Sequence, residues 1–181
     1  MAETRFVNES LPPELLDYFE LCDGVVHWSS KQIVSRSGAF RARRAPWGSI
    51  AGGRRVHGRG RLITFARCAV LTSDVAFALR TGDWPWQVGG AAPWILEHDQ
   101  AATDIALARW RLDGETIVWR TDRGFTADGS PAYAAGSPAL GFAMSGHRGR
   151  MLSSSGYGYL ADDIRHLLTR GHWPWDACDW D

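Results

Sequence analysis

"RTGDWPW" (residues 80–86) and "TRGHWPW" (residues 169–175) place a Trp-Pro-Trp tripeptide twice in a chain of 181 residues. Tryptophan is a scarce residue, so a duplicated unit explains the recurrence better than chance does. Working outward from these tripeptides, Trp84 and Trp173 differ by 89, as do Asp74 and Asp163, Leu71 and Leu160, Arg59 and Arg148, and Arg61 and Arg150. Further upstream "GSIAG" (48–52) meets "GSPAL" (136–140), and "DGVVHW" (23–28) meets "DGETIVW" (113–119), with small changes of offset that short insertions explain. The expectation is two diverged copies, roughly 12–86 and 102–175. As domains these are a first repeat at 1–88, a second at 102–181, and a linker at 89–101 whose "GGAAP" suits a connection.

Each copy predicts the same α+β unit, a small antiparallel sheet flanked by an N-terminal and a C-terminal helix. "SLPPELLDYFELC" predicts an amphipathic helix capped by Ser10, with Leu15, Phe19 and Cys22 on one face, and "TDIALARWRL" is its counterpart with Thr103 as cap. Short β-rich pieces follow: "VVHW" and "GRLITFARCAVL", then "TIVWR" and "GRMLSSSGYGYL". Closing helices lie in "SDVAFALRTG" and "DDIRHLLTRG". Their apolar residues fall at helical spacing (Val75, Ala78, Leu79; Ile164, Leu167, Leu168), and Gly82 and Gly171 stop them before the Trp-Pro pair.

With 45% apolar residues and ten Trp the chain can bury a core. The net charge of zero conceals an asymmetry, since residues 1–90 carry 12 basic against 8 acidic side chains and residues 91–181 carry 8 against 12. "MAETRFVNES" lacks the basic-then-apolar layout of a leader, and no apolar run approaches the ~20 residues of a membrane span. Cys22, Cys68 and Cys178 are odd in number and widely spaced, which suggests neither a disulfide framework nor a zinc cluster. A soluble protein of the host cytoplasm is expected, without membrane contact.

The order "ELLDYF…DGVVHW…GSIAG…GRGRLITF…LTSDVAFALRTGDWP", and again "DGETIVW…GSPALGF…GYGYLADDIRHLLTRGHWP", resembles the HNH homing endonucleases common in bacteriophages. In that family a Gly-rich strand pair leads into an Ala-His-Arg helix start and a Thr-Gly-x-Trp-Pro end, followed by an Asp-His-x-Asn segment. The resemblance places the family's catalytic histidine on Ser73 in the first copy and Asp162 in the second. Serine is no base near neutral pH and an exposed Asp is a weak one, so both are expected to cap helices instead. "EHDQ" (97–100) keeps His98 where a metal ligand would stand, while after Trp175 only "DACDWD" follows. HNH cleavage needs a base and a divalent ion together, so the resemblance implies a nuclease relative with no catalytic residues and no metal site.

No other cofactor is indicated. The six histidines, His147, His166 and His172 among them, lack ligand spacing, and no phosphate-binding Gly-Lys-Ser/Thr loop is present. The strongest functional signal is charge. Between Asp23 and Asp74 there is no acidic residue, while Lys31, Arg36, Arg41, Arg43, Arg44, Arg54, Arg55, Arg59, Arg61 and Arg67 all lie inside, interleaved with Phe40 and Trp47. Guanidinium groups grip phosphates bidentately. The candidate nucleic-acid-binding residues are Arg36, Arg41, Arg43, Arg44, Arg54, Arg55, Arg59 and Arg61. The second copy has Glu115, Asp122 and Asp128 in its matching interval and is the poorer phosphate binder.

Three functions follow. The first is a catalytically inactive nucleic-acid-binding protein of phage or mobile-element origin. The second is an anti-defence protein, of the anti-CRISPR type, that inhibits a host effector complex. The third is an active metal-dependent nuclease using His98 or His147. The opposite charges of the two halves also make a homodimer a possible partner arrangement.

Overall fold

The computed structural model describes residues 11, 13–29, 47–65, 68–89, 99–144 and 148–176. The expected helix cap Ser10, the basic residues 31–44, Arg67, the segment 90–98 with His98, His147 and the tail from residue 177 lie outside the described residues. The fold is α+β, with three α-helices and several small, partly antiparallel sheets.

A short 3-10 helix at Pro13–Tyr18 runs straight into the hairpin β1 (Phe19–Cys22) and β2 (Val25–Trp28). The amphipathic helix expected through Cys22 is therefore cut short. Asp23 and Gly24 both have positive φ, the turn geometry whose twist matches a two-residue hairpin, and it pulls Phe19–Cys22 into a strand. Leu15 and Phe19 are buried as expected, but Cys22 is exposed.

Strands β3 (Arg55–Val56), β4 (Gly60–Phe65) and β5 (Cys68–Leu71) follow, and β5 passes without a loop into α1 (Thr72–Thr81). After residue 99 come α2 (Gln100–Arg109), the hairpin β6 (Trp110–Asp113) and β7 (Thr116–Trp119), and the hairpin β8 (Arg123–Phe125) and β9 (Pro131–Tyr133). Strands β10 (Phe142–Ala143), β11 (Arg150–Ser154) and β12 (Tyr157–Leu160) then lead directly into α3 (Ala161–Arg170). The cap of α2 is Asp99, whose Oδ1 accepts from the Ala102 N–H at 3.2 Å, and not Thr103. Ser73 and Asp162 cap nothing either, because each helix starts one residue earlier, from a strand-end leucine without a side-chain cap. Gly82 and Gly171 do end their helices in the left-handed conformation.

Strands from both halves of the chain lie in one six-stranded sheet of order β10-β11-β12-β3-β4-β5. Its pairings are antiparallel except at the centre, where Gly158 of β12 pairs parallel with Val56 of β3. Val56, Ala69 and Leu71 pack there with Met144, Met151 and Leu160. A second cluster, around Leu15, Phe19, Ile63, Val70 and Val75, lies under α1. The third, around Trp110, Tyr159, Ile164, Leu167, Trp173 and Trp175, lies under α2 and α3. Apolar burial over these clusters drives the fold; of the helical residues expected to face inward, Val75, Ala78, Ile164 and Leu167 are buried, while Leu79 and Leu168 are half-buried at the edges of their clusters.

Two ion pairs cross the central sheet. The Arg59 guanidinium, in the turn between β3 and β4, donates to Asp163 on α3 through Nε (3.0 Å to Oδ2) and Nη2 (2.6 Å to Oδ1). Arg148 donates to Asp74 on α1 through the same two atoms, at 3.0 and 2.9 Å. Both acids sit at the third position of their helix, where negative charge also favours the helix dipole. Burial pushes the Asp74 carboxyl up, and Arg148 opposes that shift. The tryptophan pairs complete these clamps: Arg59 lies over the ring of Trp175 at 5.8 Å and Arg148 over that of Trp86 at 5.2 Å. The proline between each pair lets the tryptophans stack on one another, Trp84 on Trp86 at 5.0 Å and Trp173 on Trp175 at 5.2 Å.

Candidate nucleic-acid interface

Arg36, Arg41, Arg43 and Arg44 lie outside the described residues, so the geometry of the basic segment rests on Arg54, Arg55, Arg59 and Arg61. The structure separates these four. Arg59 is 4% exposed and held by Asp163 in the clamp, so its guanidinium faces inward and belongs to the fold. Its neighbour Gly58 explains the tight approach, since a Cβ there would come within 2.6 Å of three ring atoms of Trp175. Arg54, Arg55 and Arg61 are exposed.

Arg55 and Arg61 are direct cross-strand partners on β3 and β4. Directly opposed residues of an antiparallel pair share one face, and like charges there repel. Asp99 Oδ2 stands 3.5 Å from Arg55 Nη1. That carboxylate is shared, because the Tyr157 hydroxyl donates to the same oxygen at 2.8 Å. The tyrosine's hydrogen bond is the main reason the Asp99 carboxyl is held below its ordinary value. Arg54 reaches past β12 to β11, donating to Ser153 Oγ at 2.7 Å. Arg61 is placed by its backbone N–H, which donates to Thr72 Oγ1 at 2.9 Å. Trp47, expected beside the arginines, is 72% exposed.

The positions that would carry HNH chemistry are built differently. Ser73 is buried on the second residue of α1, and Asp162 is exposed on α3, paired with Arg165 three residues on. No group of three His, Cys, Asp or Glu that could hold a metal ion occurs among the described residues. His57 is buried edge-on against the stacked rings of Trp173 (4.6 Å) and Trp175 (5.2 Å). His166 and His172 stand 5.1 Å apart, and His166 lines a shallow depression of ≈ 270 Å³ with Asp162, Arg165, Thr169 and Arg170.

Sequence reasoning missed the β8–β9 hairpin, where "TADGSPAYAAGSPALG" reads as a loop. Its strands are three residues each, too short for an alternation signal. The cue in the sequence was Asp128, whose carboxylate accepts from the Thr126 hydroxyl and from the Ser130 N–H to build the connecting turn. The hairpin exposes Phe125 and Tyr133. No helix among the described residues is long and apolar enough to cross a membrane. No protein-family model matches the chain, and no curated protein or solved structure matches it either.

Proposed function

We propose that this chain is a duplicated, catalytically inactive relative of the HNH nucleases that binds nucleic acid through phosphate contacts made by its first repeat. The observation that carries the reading is the direct opposition of Arg55 and Arg61 on β3 and β4, both exposed. Mutual repulsion of two guanidinium groups is a cost that an intervening phosphate turns into attraction. The acid-free stretch from Gly24 to Ser73 adds Arg36, Arg41, Arg43 and Arg44 to the same basic segment. Arg59 serves the clamp and is not one of the phosphate ligands.

Support for the duplication comes from the two clamps, which use residues at the same spacing of 89 along the chain: Arg59 with Arg148, Asp74 with Asp163, and Trp86 with Trp175. Each repeat gives an arginine to the other and receives one, so the repeats are interlocked. Support for the loss of catalysis comes from Ser73, which is buried at the position of the family's base and has no acid–base capacity near neutral pH.

The reading is tested by incubating the protein with plasmid DNA, a random duplex and RNA, with Mg²⁺ or Mn²⁺ present. Retarded migration of intact nucleic acid is expected. Nicking or degradation that follows the protein through purification would overturn the loss of catalysis, and no retardation at low salt would overturn the binding.

A further inference from the structure

The β8–β9 hairpin carries an aromatic surface that the phosphate reading does not use. Arg123 pairs directly with Tyr133 and Phe125 with Pro131, so by strand alternation these four side chains share one face, while Gly124 and Ala132 share the other. Phe125 is 70% exposed and Tyr133 is 53% exposed. Tyr133 leans on Trp119 at 5.1 Å and Arg123 lies over the same indole at 5.4 Å, which fixes one side of the platform. Phe125 and Tyr133 are diagonal neighbours, at a separation of roughly 7 Å. That separation suits two splayed bases, each on its own ring, better than a continuous duplex stack.

The face contains no carboxylate. The nearby acids are tied back into the loops, Asp122 accepting from the Ala135 N–H at 2.7 Å and Asp128 from the Ser130 N–H at 3.1 Å. The hairpin also stands next to the basic surface. Arg123 donates to Ser154 Oγ at 3.0 Å, Ser154 is the cross-strand partner of Tyr157, and the Tyr157 hydroxyl and Arg55 meet on Asp99 Oδ2, so Arg123 and Arg55 lie on the same face of the central sheet.

We infer that Phe125 and Tyr133 receive unpaired bases, and that the nucleic acid taken by this protein is single-stranded, with its phosphates on Arg55 and Arg61 and its bases on the hairpin. The inference rests on the nucleic-acid reading above and narrows it. Stacking on exposed aromatic rings is tolerant of sequence, because every base has a π face.

The test compares a labelled single-stranded oligonucleotide with the same sequence as duplex, using wild type, Phe125→Ala, Phe125→Ala/Tyr133→Ala and Arg54→Ala/Arg55→Ala/Arg61→Ala. The expected result is that wild type prefers the single strand and that the double aromatic variant loses it roughly tenfold or more. Duplex affinity and the salt slope should stay unchanged in that variant, which also shows that it is folded. Phe125→Ala alone, at a ring in little contact with the core, should lose part of the preference, and Phe125→Tyr should restore it. An unchanged single-strand affinity in the aromatic variants, with loss in the arginine variant, would overturn the hairpin's role and leave the phosphate reading standing. Preference of wild type for the duplex would likewise overturn it. Failure of wild type to bind either form would overturn the phosphate reading itself, and the inference with it.

Discussion

Arg59 and Asp163, 104 residues apart, make the same two hydrogen bonds, atom for atom, as Arg148 and Asp74, 74 residues apart. In both pairs the guanidinium Nε and Nη2 meet the two carboxylate oxygens and an indole lies alongside, Trp175 in one case and Trp86 in the other.

Breaking one side of such a pair leaves a buried charge uncompensated. Asp163→Ala or Arg59→Ala should cost about 3–5 kcal/mol of folding free energy, while Arg59→Met/Asp163→Leu, which removes both charges at similar volume, should recover most of it. Urea denaturation of the four proteins measures this. Equal losses in the single and double variants would show that the pair is not acting as a coupled unit.

Gly58 is where the first clamp closes. It has φ of +67° and its Cβ position is filled by the Trp175 ring. Gly58→Ala combines a strained backbone with a clash and should destabilise by more than the ~1 kcal/mol of a bare left-handed penalty. Gly82→Ala, also left-handed but with open space around it, supplies the comparison. A similar loss at both positions would mean that the Trp175 contact carries no energy of its own.

The equal spacing of Arg59, Asp74, Arg148 and Asp163 was plain in the sequence, but the crossing between them was not. Sequence shows that a residue recurs, and not which of many carboxylates an arginine will meet, so Arg59 read as a phosphate ligand on charge alone. The closing helices, their glycine stops and their inward faces were legible because apolar periodicity and chain termination are local. The first helix was misjudged where two local signals competed. Leu15, Phe19 and Cys22 have helical spacing, yet the Asp23-Gly24 turn imposed a hairpin on the second half of that stretch. The exposed Phe125–Tyr133 face was invisible, since strands of three residues leave no pattern to read.

Asp99 links the cap of α2, the Tyr157 hydroxyl and Arg55, and its carboxyl is held below the ordinary value chiefly by Tyr157. Because the folded-state value lies below that of the unfolded chain, this contribution is complete above the unfolded carboxylate pKa and is lost as pH falls through the folded one. Tyr157→Phe should therefore reduce stability at neutral pH and narrow the loss on acidification attributable to Asp99. Asp99→Ala, which also removes the cap, should cost at least the ~1 kcal/mol typical of caps. Denaturant titrations at pH 7 and pH 3 check both. A Tyr157→Phe loss of the same size at the two pH values would contradict the linkage.

Trp175 is buried against Trp173, His57 and Arg59, whereas Trp86 is half-buried. Trp175→Ala should cost about 3–5 kcal/mol, and Trp86→Ala distinctly less, although the two occupy the same place in their Trp-Pro-Trp motifs. Thermal melts of the two variants rank them, and the reverse order would contradict the burial argument.

The most direct test of the phosphate reading is the dependence of nucleic-acid affinity on salt between about 50 and 200 mM, measured for wild type beside Arg54→Ala/Arg55→Ala/Arg61→Ala. The account predicts a steep loss of wild-type affinity with salt and a slope in the triple variant that is shallower by about two, one phosphate contact each for Arg55 and Arg61. A slope that does not change when the three arginines are removed, or wild type that fails to bind at low salt, would contradict it.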